Sequence, residues 1–355
     1  MTNDIAYDQR MQKTAKTLHD LGHTILMIGR VKKSSIPCDL SYSQVHRFEM
    51  FFLKGKFFYI EYNLRLFFFL LFSRFDILVA VDLDTILPNV IVGSIRNKPV
   101  IYDAHEYFTE VPELTNRRFE KSIWKWIERI SIPPCAGMYT VSQGIADIFS
   151  REYGKQCDVI YNFPTLITKK ENLLSDRKII LYQGDLNEGR GLDCAIRSMP
   201  HIPHVELWIV GDGYDRESLE RLTSELNMQN RVTFWGYIEP ASLHSFTSQA
   251  YLGLNLLENK GLNHYYSLAN KYFDYIQQGV PPISMNFPEY QHFNNLYHCS
   301  ILIDELTVES FVQSVCALLN NQKSYEELVK NCDIAGQFLN WESQEEKLSS
   351  IYNNV

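Results

Sequence analysis

A chain of 355 residues, 45% apolar and 13% aromatic, has the mass for two hydrophobic cores and exceeds one small domain. Its 34 Lys+Arg against 42 Asp+Glu leave a net charge of −8, which argues against a general nucleic-acid binder because phosphate backbones are held by a basic excess. Seven scattered cysteines, with no Cys-x-x-Cys and no histidines at metal-ligand spacing, read as reduced thiols of a cytoplasmic protein.

Helix-period and strand-like segments alternate along the chain, the pattern of parallel sheets covered by crossover helices. The first half reads as helix 9–21, strand 24–28, an apolar helix 59–72, strand 76–81, a helix from Thr85, strand 99–102, helix 119–130, strand 138–141, helix 144–153 and strand 158–161. Tyr161-Asn162-Phe163-Pro164 ends this run, and the polar stretch Thr165 to Lys178 reads as a linker. Strands are expected again at 179–182, 205–210, 232–235, 251–256 and 280–284. The expected division is 1–164, 165–335 and a carboxy-terminal helix in 336–355 that packs back on the first domain. Each domain is expected to be a doubly wound parallel sheet, the two facing across a cleft. Leu66 to Phe72, the most apolar run, is far short of the roughly 20 residues that span a bilayer, and residues 1–20 lack a signal-peptide core. Neither a transmembrane nor a secreted protein is expected.

In open parallel sheets ligands sit beyond the carboxyl ends of the strands, so the strand-end loops carry the chemistry. Gly184 to Gly191 follows the first strand of the second domain and opens a helix. Glycines there admit an anion to the backbone, the helix N-terminus offers N–H groups, and Arg190 adds a fixed cation, a set suited to a diphosphate. The alternative is a turn with a solvated arginine. The next strands end in Gly211-Asp212-Gly213 and Phe234-Trp235-Gly236, and the backbone of Gly236, Tyr237 and Ile238 could bind the edge of a nucleobase. In the segment 261–275, Ser267 and Asn270 are candidate helix caps, so N–H groups near Leu268 to Asn270 would face the same site. Asp274, one turn into that helix, could accept both hydroxyls of a ribose, or only favour the helix dipole. Asp82 and Asp84 could hold a divalent ion only with further oxygen ligands; otherwise Asp84 caps the helix from Thr85.

These pieces, with Ser267-Leu268-Ala269-Asn270-Lys271-Tyr272-Phe273-Asp274-Tyr275, Thr140-Val141-Ser142 and Asn162-Phe163-Pro164, resemble the motifs of GT-B glycosyltransferases of family 4 in order and spacing. The resemblance implies two Rossmann-like domains and a cytoplasmic, retaining transferase moving a hexosyl or related sugar from a nucleoside-diphosphate donor without a metal or other cofactor. It implies a glycan or lipid-linked acceptor in polysaccharide biosynthesis. It places His105, after Val100-Ile101-Tyr102-Asp103-Ala104, on the donor sugar, Arg190 on the diphosphate and Asp274 on the ribose. Gly184, Gly191, Gly211, Gly213, Gly236, Tyr237, Ile238, Tyr266, Ser267, Leu268, Asn270 and Lys271 are assigned to the donor, and Asp4, Asp8 and Arg10 to the acceptor side.

The chain departs from the family at three places. Tyr266 stands where the first of two glutamates is usual, Asp185 where an arginine often follows the first glycine, and no apolar strand precedes residue 2, so a start upstream of Met1 is expected. Two rivals remain: a sugar-nucleotide epimerase, for which Asp103 and Glu106 are the nearest acid–base couple, and a catalytically inactive nucleotide-binding or partner subunit. Ten phenylalanines lie between residues 48 and 75 among Arg47, Lys54, Lys56, Arg65 and Arg74. This stretch suits either the inner face of an anionic membrane or the buried crossover helix of the first sheet.

Overall fold

The computed structural model describes residues 1–33, 35–111, 114, 117–167 and 177–355. These form two compact units, Met1–Asn162 with Gln344–Val355, and Phe163–Ser343. Residues 168–176 of the expected linker lie outside the described residues.

The first unit contains α1 (Gln9–Asp20), β1 (Leu26–Arg30), β2 (Gln44–Phe48), α2 (Gly55–Phe72), β3 (Leu78–Val81), α3 (Leu83–Arg96), β4 (Val100–Ala104), α4 (Arg118–Ser131), β5 (Gly137–Thr140), α5 (Gln143–Tyr153) and β6 (Asp158–Val159). Helix α1 starts where the Asp8 carboxylate accepts the Met11 N–H at 3.0 Å, and it buries Met11, Ala15 and Leu18, spaced as one face of a helix. The expected parallel α/β arrangement is present, with its strands in two hydrogen-bonded sets rather than one: β1 and β2 form one parallel pair, and β3-β4-β5-β6 a four-stranded parallel sheet. Met1 and Asn3 run beside β1, the Met1 amine donating to Ile28 O at 2.9 Å and Arg30 N–H to Asn3 O at 3.2 Å. One core spans both sheets, with Met27 of β1 and Val81 of β3 packed with Met1, Ile5, Met11 and Ala15.

A correction concerns Asp84, which does not cap a helix from Thr85. Helix α3 begins at Leu83, so Asp84 lies buried in its first turn and accepts from Thr2 Oγ1 at 2.5 Å.

The second unit contains β7 (Lys178–Gln183), α6 (Leu192–Ser198), β8 (Val205–Val210), α7 (Arg216–Glu225), β9 (Val232–Gly236), α8 (Pro240–Thr247), β10 (Leu252–Asn255), α9 (Leu262–Tyr265), α10 (Asn270–Gln277), β11 (Pro282–Met285), α11 (Pro288–Tyr297), β12 (Ile301–Ile303), α12 (Val308–Leu319) and α13 (Gln322–Gly336). Its six parallel strands run β12-β11-β10-β7-β8-β9, a doubly wound sheet whose order reverses between β7 and β10. That reversal opens a crevice at the carboxyl ends of these two strands, where Gln183 and Asn255 are the last residues.

The glycines after β7 and β8 are there because two loops touch backbone to backbone. At Gly211, φ is +138° and a Cβ would lie 1.9 Å from Gly184 O. Leu186 N–H donates to Asp212 O at 3.0 Å and Asp215 N–H to Leu186 O at 2.9 Å, tying the loops together. Gly211→Ala is therefore expected to destabilise the second unit by about 3 kcal/mol or more in urea melts, from backbone strain and overlap together. A loss under about 1 kcal/mol would show that the loops part freely.

The last helix, α14 (Glu342–Asn353), passes from one unit to the other between Ser343 and Gln344. In the first unit Gln344 Oε1 accepts the Tyr161 N–H at 3.1 Å, Glu345 accepts from Thr17 Oγ1 at 3.0 Å, and the Tyr352 and Tyr139 hydroxyls meet at 3.2 Å. Among the described residues, no helix is long and apolar enough to cross a membrane.

Candidate functional site

At the strand-order reversal of the second unit, Tyr275 pins α10 to the sheet. The absent Cβ of Gly253 leaves room for the Tyr275 ring, which a Cβ there would meet at 2.2 Å. The Tyr275 hydroxyl donates to Leu181 O at 3.0 Å and accepts from Gln183 N–H at 3.2 Å, pinning the helix to β7. Lys271, one turn earlier on α10, and the adjacent Asp274 then fall at the end of β7. Lys271 Nζ lies 3.6 Å from the centroid of the Tyr182 ring, and Gln183 Nε2 donates to Asp274 Oδ2 at 3.2 Å. Thr247 Oγ1 in turn donates to Gln183 Oε1 at 2.8 Å, fixing which end of the amide faces Asp274.

Burial, followed by the nearby Arg190 guanidinium, holds the Lys271 ammonium well below its usual range, with Asp185 and Asp274 opposing. A lysine kept beside an arginine, its charged form disfavoured by burial and repulsion, makes a site whose charge an anion would stabilise. A Cβ on Gly184 would come within 3.0 Å of Lys271 Nζ, so the glycine loop and this lysine share one space. Gly191, at φ +66°, is the last residue before α6, as the loop motif implies.

The capping expectation for α10 is corrected. Ala269 occupies the cap position without a side-chain hydrogen bond, Ser267 Oγ donates to His264 O at 3.0 Å, and Asn270 is the first helical residue. The Ala269 N–H is used by the Tyr290 hydroxyl at 3.0 Å, so it is not open to a ligand. Leu268 is half-buried before this cap, and the Tyr266 ring packs on Tyr265 with centroids 5.0 Å apart. At the end of β9, Gly236 O accepts the Gly211 N–H at 2.8 Å, linking a third strand end to the other two. Tyr237 is exposed, whereas Ile238 packs into the core with Leu181 and Val210.

In the first unit the loop after β4 carries His105. Its Nε2 lies 3.2 Å from Asp103 Oδ2 and its Nδ1 3.9 Å from Asp82 Oδ2, while its N–H donates to Asp82 Oδ1 at 2.8 Å. Burial alone would lower the imidazole pKa, but Asp103 and then Asp82 more than offset it and raise it to about 9. Asp103 is fully buried, and Arg10 Nη2 meets its Oδ1 at 3.2 Å. Burial would raise this carboxyl, yet Arg10 and His105 prevail and hold it at about 2.

The three residues read as acceptor-side have internal partners. Arg10 is buried, donating also to Ile160 O at 2.9 Å; Asp4 accepts from Ala6 N–H at 3.2 Å and Arg47 Nη1 at 3.2 Å; Asp8 caps α1. Among the described residues no three His, Cys, Asp or Glu side chains are grouped to hold a metal ion, Asp82 and Asp84 included.

Sequence reasoning missed Gln183, Tyr182 and the clamp that Asp82 and Asp103 place on His105. Of these, Asp103 had a local signal, since residues two apart on an extended run share a side. Gln183 had none, because its partners Asp274 and Thr247 are far along the chain.

A doubly wound parallel sheet with glycine-marked strand ends at its switch point, following a first parallel α/β unit, is an arrangement found in GT-B glycosyltransferases, the fold of the solved structures that this chain resembles. Residues 9–164 match the model of Glycosyltransferase Family 4 and residues 165–333 that of Glycosyl transferases group 1; the chain belongs to this family and is a glycosyltransferase. It is similar to the lipopolysaccharide core biosynthesis glycosyltransferase LpsD of Rhizobium meliloti, 33% identical over 95 residues, 24% of this chain and 28% of that one. The chain thus matches little more than a quarter of that curated relative's length. Among solved structures it resembles a sucrose-phosphate synthase from Thermosynechococcus elongatus at TM-score 0.80 and 17% identity, covering 97% of this chain and 92% of that one. It also resembles HepE of Anabaena, solved with UDP and glucose, at TM-score 0.75 and 13% identity, covering 98% and 95%.

Proposed function

We propose that the protein transfers a hexosyl or related sugar from a nucleoside-diphosphate donor to a glycan or lipid-linked acceptor in polysaccharide biosynthesis, with retention of anomeric configuration and no metal. The observation that carries this reading is the pairing of Lys271 and Arg190 beside the Gly184 loop, at the sheet's order reversal. The LpsD relative and the HepE complex support a polysaccharide product and a UDP donor.

In the reaction the bond between the anomeric carbon and the diphosphate oxygen breaks, and the acceptor hydroxyl oxygen bonds to that carbon on the same face, its proton passing to the departing diphosphate. Negative charge grows on the departing diphosphate, where Arg190 and Lys271 stabilise it more in the transition state than before it. Asp274, oriented by Gln183, accepts the ribose hydroxyls, and the backbone of Gly236 to Ile238 meets the base. His105 is assigned to the donor sugar as a charged donor, a role its raised pKa suits. The epimerase reading is less favoured because Asp103 is already taken by Arg10 and His105.

Calorimetric titration with UDP, GDP and ADP in EDTA tests the donor site. The wild type is expected to bind the UDP series, and Asp274→Ala to weaken it by about 10- to 100-fold by removing a charged hydrogen-bond acceptor. No binding of any diphosphate by the folded protein would overturn the reading, and binding only on metal addition would overturn its metal-free form.

A further inference from the structure

Helix α4 faces the wrong way for a helix that merely covers a sheet. Phe119, Ile123, Trp126 and Ile130 recur at i, i+4, i+7 and i+11, a stripe that ordinarily turns to the core. Here they are 76%, 43%, 59% and 42% exposed, while Glu128 and Ser131 on the opposite side are 1% and 0% exposed. A polar network holds this orientation: Lys125 Nζ reaches the Tyr107 hydroxyl at 2.7 Å, Glu128 at 3.3 Å and Glu152 at 3.3 Å, and Glu128 also accepts from the Tyr153 hydroxyl. The apolar face is left outward because the inward face is occupied by charge.

Helix α2 adds a second outward stripe. It buries Phe58, Tyr62, Leu66 and Leu70, so the burial reading made for this segment holds for that face only. On the other face Phe57, Ile60, Leu64 and Phe68 are 54–55% exposed. The Tyr59 and Trp124 rings meet at 5.4 Å, edge to face, which joins α2 to α4, and α3 packs against both helices with Ile91 and Ile95 exposed. All three helices belong to the first unit, so the apolar surface is one feature of one compact body.

Its charge is opposite in sign to that of the chain. Residues 117–130 hold five Lys or Arg against two Glu, and residues 54–74 four against one, in a protein of net charge −8. Arg117, Arg118, Arg129, Lys54 and Lys56 are exposed around the stripes. Apolar and Trp/Phe side chains rimmed by cations match the boundary of an anionic bilayer, with rings at the acyl edge and guanidinium groups at the phosphates. A protein partner or a second copy of this chain, itself net acidic, could also cover an apolar face. The coincidence of two outward stripes with basic rims selects the lipid surface. We propose that the α2–α4 face of the first unit docks on an anionic membrane.

The test is cosedimentation of the full chain with vesicles of phosphatidylglycerol and phosphatidylethanolamine, with phosphatidylcholine vesicles for comparison. The wild type should pellet with the anionic vesicles, less so as salt rises. Phe119→Ser combined with Trp126→Ser should lower the partition coefficient about tenfold or more, and Arg118→Glu with Arg129→Glu by a similar factor. These side chains are exposed, so thermal melts should not change. Two results would overturn the proposal: retention of vesicle binding by both double variants, or a soluble dimer that the Phe119/Trp126 variant dissociates while vesicles bind neither protein. The readout needs no sugar transfer, so it stands or falls separately from the donor-site titration.

Discussion

Lys271→Met should lower kcat of sugar transfer about 100- to 1,000-fold while the protein stays folded, the range expected when one charge stabiliser is removed from a departing anion. The Lys271 ammonium lies on the Tyr182 ring, and burial and Arg190 disfavour its charged form in the free protein. A diphosphate reverses that balance, since it favours the ammonium and relieves the repulsion from Arg190. Donor binding should therefore raise the Lys271 pKa and, across the pH range between its free and bound values, draw in a proton, seen as a calorimetric heat that varies with the ionisation enthalpy of the buffer. Donor affinity should fall as pH rises. In Lys271→Met both the proton uptake and this pH dependence should vanish. Full kcat in that variant would remove the lysine from the chemistry, and uptake that persists would place the proton elsewhere.

Asp103→Asn should destabilise the first unit by about 3–5 kcal/mol, because it leaves the buried Arg10 guanidinium without its counter-charge. The pH dependence has a definite sign on each side. The Asp103 pKa, held at about 2 against an ordinary 3.8, stabilises the fold above about pH 4, and this is lost as pH falls toward 2. The His105 pKa, raised to about 9 from 6.5, stabilises fully below 6.5, and this is lost as pH rises through 9. Both shifts share the Asp103–His105 attraction, so they are not added together. Urea melts of the wild type should show a plateau between these limits. Histidine NMR should show one imidazole titrating near 9, moving toward its ordinary range in Asp103→Asn, with Asp82 at 3.9 Å keeping part of the rise. A wild-type His105 midpoint near 6.5 would refute the clamp.

Most helices and strands are legible along the chain because their signals are local: a 3.6 period for α1, an apolar run too long for a strand for α2, and short apolar runs ending at glycine for β7, β8 and β9. Two strands escape that test. Gln44–Phe48 carries His46 and Arg47 amid its apolar residues, and Ile301–Ile303 is three residues long. Neither has enough repeats to define a period. For the site, glycines announced the strand ends, since a residue without a Cβ is needed where Gly211 meets Gly184. They could not announce Gln183, because what makes it matter is a hydrogen bond to Asp274 across 91 positions.

The sequence by itself determined the alternating α/β class, the two-part organisation and the family, because these rest on local pattern and on ordered motifs. Tertiary structure alone decided that the first unit's strands form two sheets, that Lys271 joins Arg190, that Asp103 clamps His105, and that the apolar stripe of α4 faces outward. A stripe has the same spacing whichever way the helix is turned, and a charge has the same sign whichever partner it meets. Pairings between distant residues are settled only when packing brings those residues together.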